Sequence, residues 1–380
     1  MYKAYKFRLY PNDTQKLLIN KTFACVRYVY NYYLDKMQKE GYTCAYTNIN
    51  DYVNNLKYNA LFLREIDSIV IRKSIFNLDN AYQKMYKENK GKPRFKSKYN
   101  KNSYNTNAVY SVYKNKKYCN IELDLINRQV KLPKLRWVKI KGYRNIKEIQ
   151  GKIKSATISR EANGKYYVSI LIECPEVELV KPTYIVGIDL GVKKLVTLSN
   201  GISYDNNKYI QKYEKRIKRK QRELSRKEKR SNNYYKCKKE LARLYTKLRN
   251  ARKYYIHKIT KEITDAYDII TVEKLHSKDM IINGKKNHLS KSINDACFNE
   301  IITQLLYKSR IKGKQIYQAN EYYASSQVCS VCDNKDKTYK DLKEREYKCS
   351  KCGLEIDRDL NASINIMNEG IKMYMNKLVV

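Results

Sequence analysis

The pattern of hydrophobic and polar positions predicts a strand followed by a helical region at the start of the chain. Apolar residues alternate with polar ones over residues 2–10, which is typical of a strand with one buried face. Residues 12–14, Asn-Asp-Thr, supply a helix N-cap, and a helical pattern continues over residues 15–40. Apolar side chains three or four positions apart over residues 68–87 predict a second helix. We therefore expect a small helical domain after the first strand.

The pattern becomes that of β-structure over residues 104–178. Alternating runs lie on both sides of Asn163-Gly164, a pair that favours a hairpin with a two-residue turn. Two further strands are predicted near residues 127–132 and 136–141. Together with the N-terminal strand, these segments predict a β-barrel-like domain, with the helical domain inserted between its two pieces.

From residue 182 onward, strands and helices alternate as in an α/β domain. The segment YIVGIDLGVKKLVTLSNGISY predicts three strands separated by two glycine-containing turns. A long helical stretch covers residues 208–262, and the Ser-Asn-Asn at 231–233 is expected to break it into a helical hairpin. The remaining predicted elements are strands at residues 269–275 and 315–319, a helix near residues 293–310 and a last helix from about residue 360.

The charge of the chain indicates a polyanionic partner. Its 380 residues contain 79 Lys and Arg against 38 Asp and Glu, a formal charge of +41. Repulsion among so many like charges is relieved by a bound nucleic acid. A lysine-rich genome composition raises the number of basic residues, but it does not explain why acidic residues are half as many. Residues 208–262 alone carry 22 basic and 5 acidic side chains, a net charge of +17.

Four of the ten cysteines form a pattern that is typical of a metal site. They are arranged as two pairs, each with two residues inside the pair and with sixteen residues between the pairs: Cys329, Cys332, Cys349 and Cys352. Four thiolates at this spacing suit one structural zinc ion with no open position for catalysis. An iron–sulfur cluster is the alternative.

The N-terminal and apolar segments bear on where the protein acts. The start of the chain lacks the apolar core of a signal peptide, and no run of residues is apolar enough to span a membrane. We therefore expect a cytoplasmic protein, in the bacterial cytosol or nucleoid, with no membrane partner. The six isolated cysteines are expected to be reduced.

Three acidic residues stand out because acids are scarce in this chain. Asp189 ends the apolar strand YIVGID, Glu273 ends the apolar strand IITVE, and Asp359 lies at the start of the last helix. A carboxylate at the end of a buried strand is costly unless it is paired or coordinates a cation. Brought together, the three would hold two Mg²⁺ ions and form a site that cleaves phosphodiester bonds. Taken singly, Asp189 also fits a turn and Asp359 a helix cap. Together they predict an RNase H-like nuclease core.

These residues lie in motifs that resemble the TnpB family of transposon-encoded, RNA-guided DNA nucleases, which are related to compact type V CRISPR effectors. The resemblance covers nearly the whole length. AYKFRLYPNDTQ and CVRYVYN resemble the opening of the family, GIDLGVKKLVTLSNG its first RuvC-like motif and ITVEKL its second. SSQVCSVC and YKCSKCGLEIDRDLNASINI resemble its zinc ribbon and third motif.

The resemblance implies a role for each candidate residue. The catalytic, magnesium-binding acids are Asp189, Glu273 and Asp359, and in the DRD motif the third acid is Asp359 rather than Asp357. The ligands of one structural Zn²⁺ are Cys329, Cys332, Cys349 and Cys352. Two positions depart from the family pattern: Asp333 stands where Gly is common and Ser325 where Thr is frequent. Neither is expected to touch the acids or the zinc ligands.

An α/β multidomain architecture is also implied by the resemblance. Residues 1–11 and 100–180 form a wedge β-barrel, and residues 12–99 form an inserted helical recognition domain. A RuvC-like nuclease domain of the RNase H-like class covers residues 181–327 and 353–380, and a zinc ribbon at residues 328–352 is inserted into it.

The implied function is that of an RNA-guided DNA endonuclease. It binds a guide RNA, which is either an omega RNA from a transposon end or a CRISPR-derived RNA, and recognises a short motif beside its double-stranded DNA target. It then forms an RNA–DNA heteroduplex and cleaves the DNA by two-metal hydrolysis with Mg²⁺. A protein that binds DNA without cutting it and a general RNA-binding protein are the alternatives. The sequence does not predict how many copies act together.

Overall fold

A computed structural model describes residues 1–41, 49–99, 101–113, 116–142, 151–275, 280, 282, 290–320, 323–340 and 344–379. The chain divides into two compact units, Met1–Glu176 and Val177–Val380. Over these described residues, every helix is too short or too polar to cross a membrane. One of the isolated cysteines, Cys44, lies outside the described residues.

The first unit is built on an antiparallel sheet of seven strands. In chain order its strands are β1 (Tyr2–Tyr10), β2 (Asn102–Asn107), β5 (Glu122–Asp124), β6 (Gln129–Leu132), β7 (Arg136–Lys141), β8 (Lys152–Arg160) and β9 (Tyr166–Glu173). Strands β3 (Tyr110–Tyr113) and β4 (Lys116–Cys119) form a separate hairpin. The order across the sheet is β2-β8-β9-β1-β7-β6-β5.

The N-terminal strand lies in the middle of this sheet. β1 pairs antiparallel with β9 on one side and with β7 on the other, which confirms that it completes the β-region. Its residues Tyr5, Phe7 and Leu9 point into a core that also receives Tyr104 from β2 and Val130 from β6. The sheet therefore curves around one core. Its described strands end at β2 and β5, so closure into a barrel stays a prediction.

The hairpin between β8 and β9 is confirmed, but its turn differs from the predicted one. Arg160 pairs with Tyr166, and Glu161 and Lys165 are joined by a backbone hydrogen bond. Three residues, not two, therefore form the loop. Gly164 closes it with a positive φ of 83°, as in a type I turn followed by a left-handed residue.

Three helices pack together beside this sheet in the first unit. They are α1 (Asp13–Lys39), α2 (Ile49–Asn59) and α3 (Ser68–Glu88). The first and third were predicted, and Asn12 caps α1 in a reciprocal pair of hydrogen bonds with Gln15. Helix α2 was missed, although its buried Ile49, Val53 and Leu56 are spaced as on a helix. The division of this unit into a wedge and a recognition domain stays a prediction.

The second unit contains a mixed sheet of five strands. These are β10 (Ile185–Asp189), β11 (Lys194–Leu198), β12 (Ser203–Asp205), β13 (Ile269–Glu273) and β14 (Gln315–Ala319). Their order is β12-β11-β10-β13-β14. β10, β13 and β14 run parallel, whereas β11 and β12 pair antiparallel with their neighbours. All five strands were predicted from the hydrophobic pattern.

The helices of the second unit largely follow the predicted pattern. They are α4 (Tyr209–Ser225), α5 (Asn232–Ala266), α6 (Ser290–Ala296), α7 (Phe298–Ile311) and α8 (Arg358–Val379). The predicted hairpin is confirmed, because α4 ends before Ser231, whose side chain caps α5. The single helix predicted near residues 293–310 is wrong, because Cys297 adopts a left-handed φ of 54° and separates α6 from α7.

The two faces of the five-stranded sheet are covered by different helices. Val186 and Ile188 of β10 share a buried cluster with residues of α5 and α7. The alternate position, Gly187, faces α8, since a Cβ there would meet Ser363 and Met367. Gly370 of α8 in turn lies against Thr271 of β13. Two glycines thus allow α8 to approach the sheet closely.

This close approach gives a testable prediction about stability. Gly187→Ala is expected to lower the free energy of unfolding by about 1–3 kcal/mol, because its Cβ would overlap the backbone of α8. Gly91→Ala is the matched control, since a Cβ there meets nothing within 4 Å. Urea unfolding measures both variants. Equal unfolding midpoints for the two would contradict the close contact.

Candidate active site and metal centre

Asp189 and Glu273 leave the same edge and the same face of the sheet. Each is the last residue of its strand, β10 or β13, and the two strands are parallel neighbours in which Ile188 pairs with Val272. Side chains alternate along a strand. Asp189 therefore shares the face of Gly187, and Glu273 shares the face of Thr271. Both carboxylates are thereby directed towards the side of the sheet that α8 covers.

Asp359 reaches this place from the first turn of α8. The sequence alone also allowed Asp359 to be a helix cap, but Asp357 has that role. Its Oδ1 accepts hydrogen bonds from the backbone N–H groups of Asp359 and Leu360. The other oxygen of Asp357 accepts from Lys194 at 2.9 Å. Asp357 is therefore held by the helix end and by a lysine. This geometry supports Asp359 as the third acid of the site.

The pKa of Asp189 responds to its burial and to the charges of the two other acids. Burial, followed by the charges of Glu273 and Asp359, raises the pKa of Asp189 well above its ordinary value, and the guanidinium of Arg358 opposes the rise. Burial also raises the pKa of Glu273. Carboxyl groups that share a site repel one another in this way, and a bound cation removes the repulsion.

Two arginines lie beside the acids. Arg358 is buried, and its guanidinium donates to the Glu344 carbonyl and the Ser326 hydroxyl. Arg345 lies 3.7 Å from an oxygen of Asp359. Arg345 lies between the two cysteine pairs, and Arg358 follows the second pair. Positive charge is therefore placed next to the carboxylates by the ribbon and by the start of α8.

Ser325 is a site residue that the sequence interpretation missed. Its hydroxyl donates a hydrogen bond of 2.6 Å to Oε1 of Glu273, and it is buried. The expectation that this position does not touch the acids is therefore wrong. The hydrogen bond lowers the pKa of Glu273 against the effect of burial, because it favours the ionised carboxylate. The motif SSQVC drew attention to position 325, but it did not indicate that Ser325 contacts Glu273.

The four clustered cysteines form a site for one ion. The Sγ atoms of Cys329 and Cys352 are 3.6 Å apart, those of Cys332 and Cys349 are 3.5 Å apart, and all four lie within 4.8 Å of one another. Ligands about 2.3 Å from a tetrahedral zinc ion are spaced about 3.8 Å apart. The sulfur atoms therefore fit Zn²⁺, and they surround too small a space for several iron atoms.

The fold of the ribbon explains how the cysteines meet. Strands β15 (Glu346–Lys348) and β16 (Glu355–Asp357) pair around the second cysteine pair. Backbone N–H groups of Cys352 and Lys351 lower the pKa of Cys349 to about 6, which favours the thiolate that a metal binds. Against a backbone hydrogen bond from Leu354, burial and the other thiols raise the pKa of Cys352, so Cys349 is the thiol that ionises first. Tyr347 is fully buried beneath the sulfur atoms.

Asp333 follows the second cysteine in a strained conformation. Its φ is 56°, a region in which glycine carries no penalty, and its N–H donates to the Cys329 carbonyl at 3.1 Å. This position therefore touches a cysteine of the cluster, contrary to expectation. The geometry gives a physical reason why Gly is common there in the family.

The acids and the cysteines differ in how tightly they are assembled. Among the residues that the structure describes, the four cysteines are the one group of His, Cys, Asp or Glu side chains that is close enough to hold an ion as it stands. The three carboxylates are spread more widely.

The helical hairpin of α4 and α5 presents a basic surface. Only Ile217 of α4 is a buried residue, so its many lysines and arginines remain at the surface. Three of the hairpin's few acids are already paired with lysines: Glu214 with Lys218 and Lys291, and Glu223 and Glu240 with Lys220. The uncompensated positive charge is suited to phosphate groups.

Comparison with known protein families covers most of the second unit. The model described as "Probable transposase" (OrfB_IS605) matches residues 169–283, and the model described as "Cas12f1-like, TNB domain" matches residues 298–366. A third model, described as a helix-turn-helix domain, matches residues 1–44. The first match contains Asp189 and Glu273. The second contains Asp359 and the four clustered cysteines.

Curated relatives match nearly the whole chain. A protein of Escherichia coli K12 named "Putative RNA-guided DNA endonuclease InsQ" is 30% identical over 97% of this chain and 92% of its own length. A Streptomyces pristinaespiralis protein named "Putative RNA-guided DNA endonuclease" is 29% identical over 97% of this chain and 89% of its own length. A solved Cas12f1–sgRNA–target DNA complex aligns with 18% identity and a TM-score of 0.37, over 97% of this chain and 99% of that one.

These matches define a class of transposon-encoded proteins whose relatives are named as DNA endonucleases. The chain belongs to the TnpB family.

Proposed function

We propose that this protein is an RNA-guided DNA endonuclease with a RuvC-like active site formed by Asp189, Glu273 and Asp359. The observation that carries the proposal is the convergence of these carboxylates, two from the ends of adjacent parallel strands and one from the helix that crosses them. The strand order and directions of the sheet support an RNase H-like nuclease core. Relatives named as RNA-guided DNA endonucleases support the same activity.

The acids fit Mg²⁺, which prefers carboxylate oxygen ligands. Two bound Mg²⁺ ions would activate a water molecule and stabilise the charge of the leaving oxygen. Asp189 and Glu273 present their carboxylates from the ends of two sheet strands, and Asp359 presents its carboxylate from the first turn of α8. Burial, followed by the charges of Glu273 and Asp359, raises the pKa of Asp189, and a bound cation would offset both effects.

Four thiolates of Cys329, Cys332, Cys349 and Cys352 would bind one structural Zn²⁺. The cluster uses all four protein ligands, so it leaves no open position for a substrate. Its role is to hold the ribbon that leads directly into α8 and Asp359. The assignment of residues 328–352 as an inserted zinc ribbon belongs to this proposal.

The proposed partners are a guide RNA and a double-stranded DNA target. A heteroduplex of about 20 base pairs carries about 40 phosphates, which is comparable with the net charge of +41. The basic hairpin of α4 and α5 is suited to contact a nucleic-acid backbone. Residues 1–11 and 100–180 would form a wedge and residues 12–99 a recognition domain that bind the RNA and the DNA motif beside the target.

The experiment uses the protein purified together with the RNA transcribed from its own locus. The RNA that copurifies is sequenced, and a plasmid library carrying the matching target next to a randomised segment is added with Mg²⁺. We expect cleavage of a subset of plasmids that share one flanking motif, and no cleavage when the target is mismatched or Mg²⁺ is omitted. A complex that binds the matched plasmid but leaves it intact in Mg²⁺ would contradict the nuclease and favour the non-cutting alternative.

A further inference from the structure

The contact between Ser325 and Glu273 joins the carboxylate site to the cysteine cluster. Ser325 is 4% exposed, and its hydroxyl donates to Oε1 of Glu273 at 2.6 Å. The two residues are 52 positions apart in sequence, so the fold alone brings them together. Four residues after Ser325 comes Cys329, the first member of the cluster.

The backbone of this short segment is fixed by two asparagines of α8. Asn365 donates through its amide to the carbonyls of Ser325, at 2.8 Å, and Val328, at 2.6 Å. Asn361 donates to the same Val328 carbonyl at 2.7 Å and accepts from the N–H of Ser330 at 3.0 Å. Both asparagines are at most 1% exposed. Their spacing of four places them on one face of the helix.

These buried amides are satisfied by the segment and not by the helix that carries them. A buried polar group is retained where its hydrogen bonds are made, and a network of this kind holds one arrangement of the chain. Asp359 lies two residues before Asn361 on the same helix. One hydrogen-bond network therefore connects the helix of Asp359 with the start of the ribbon and with Ser325, whose hydroxyl contacts Glu273.

We propose that Ser325 is a positioning residue for the Glu273 carboxylate, held in place by Asn365. The inference rests on the proposed function in that Glu273 is taken as a metal-binding acid. The hydroxyl occupies one oxygen of Glu273 and fixes the rotation of the carboxylate, so that its remaining acceptor positions are directed consistently. Partners that orient a metal ligand typically change metal affinity or activity by about 10–100-fold when removed.

The experiment compares Ser325→Ala, Ser325→Thr and Ser309→Ala in the full-length protein with its copurified RNA. Threonine keeps the hydroxyl. Ser309 is a fully buried serine of the same unit, and its hydroxyl has no hydrogen-bond partner within the described residues. Mn²⁺ binding is followed by electron paramagnetic resonance, which requires no cleavage. The Mg²⁺ concentration for half-maximal cleavage, zinc content and Tm are measured in parallel.

We expect Ser325→Ala to weaken Mn²⁺ binding and to raise the Mg²⁺ requirement by about 10-fold or more, with one zinc per chain retained. Ser325→Thr should restore both values towards wild type, and Ser309→Ala should leave both unchanged. Unchanged Mn²⁺ affinity in Ser325→Ala, or an equal loss in the Thr and Ala variants when both remain folded, overturns the proposal. Wild-type protein that binds Mn²⁺ but cuts no matched DNA contradicts the nuclease separately, because the Mn²⁺ affinities still test the hydroxyl.

Discussion

Asp189→Asn is expected to slow DNA cleavage by at least about 10³-fold, equivalent to about 4 kcal/mol of lost transition-state stabilisation. The amide is nearly isosteric with the carboxylate but carries no charge, so it removes a metal ligand without a large change in packing. The measurement is the single-turnover rate on a matched plasmid at saturating Mg²⁺. Glu273→Gln and Asp359→Asn should behave in the same way, whereas Asp357→Asn should retain most of the activity because Asp357 caps α8.

Asp189→Asn is expected to stabilise the fold at neutral pH even though it slows cleavage. Because the pKa of Asp189 is raised in the folded protein, the folded state binds this proton more tightly than the unfolded state. Without Mg²⁺, wild-type stability should therefore fall as the pH rises from the ordinary carboxyl value of 3.8 through the raised pKa. Asp189→Asn removes this term, so its Tm should exceed that of the wild type at neutral pH and approach it in acid.

These two results together separate a catalytic acid from a structural one. A residue that is needed only for folding would lower both activity and Tm. Retained RNA binding and zinc content serve as controls for the intact complex. Cleavage by Asp189→Asn at the wild-type rate would remove the carboxylate site from the proposed mechanism.

Cys329→Ser is expected to abolish zinc binding and to reduce cleavage by at least about 100-fold. Structural zinc contributes about 10–16 kcal/mol of apparent binding free energy to folding in small zinc domains, and a serine hydroxyl is a poor substitute for a thiolate. The ribbon would lose its order, and with it the segment that Asn361 and Asn365 hold. Zinc is measured by mass spectrometry, and stability by thermal unfolding.

Cys297→Ser is the matched control for this variant. Cys297 lies outside the cluster, and its thiol donates to a nearby backbone carbonyl of Asn294 at 3.3 Å, a role that a hydroxyl can take over. It should keep one zinc per chain and near wild-type cleavage. If Cys329→Ser retains both zinc and activity, the structural-zinc assignment is wrong.

The sequence indicated the candidate acids because their signals are local. Asp189 and Glu273 each end a run of apolar residues, and such runs identify buried strands. Strand alternation and the parallel pairing of β10 and β13 then bring both side chains to one place. The cysteine spacing is equally local. The choice of Asp359 over Asp357, which came from the resemblance, stays a prediction that the hydrogen bonds of Asp357 at the helix end support.

The features that were missed depend on contacts between distant segments. Nothing beside Ser325 in the sequence indicates that it reaches Glu273. The break between α6 and α7 occurs at Cys297, a residue type that rarely takes a positive φ. The three-residue loop after β8 could not be told from a two-residue turn, because Asn163-Gly164 suits both. Local patterns define elements, whereas register and tertiary contacts refine them.

The absence of a side chain at Gly187 sets the distance between the sheet and the helix that carry the proposed acids. Asp189 lies two residues after Gly187 on β10, where the strand approaches α8 closely. A Cβ at position 187 would overlap the backbone of α8 at Ser363 and Met367, so a larger residue there is expected to displace the helix that carries Asp359. Random mutagenesis should therefore find this position intolerant for activity even among variants that still fold.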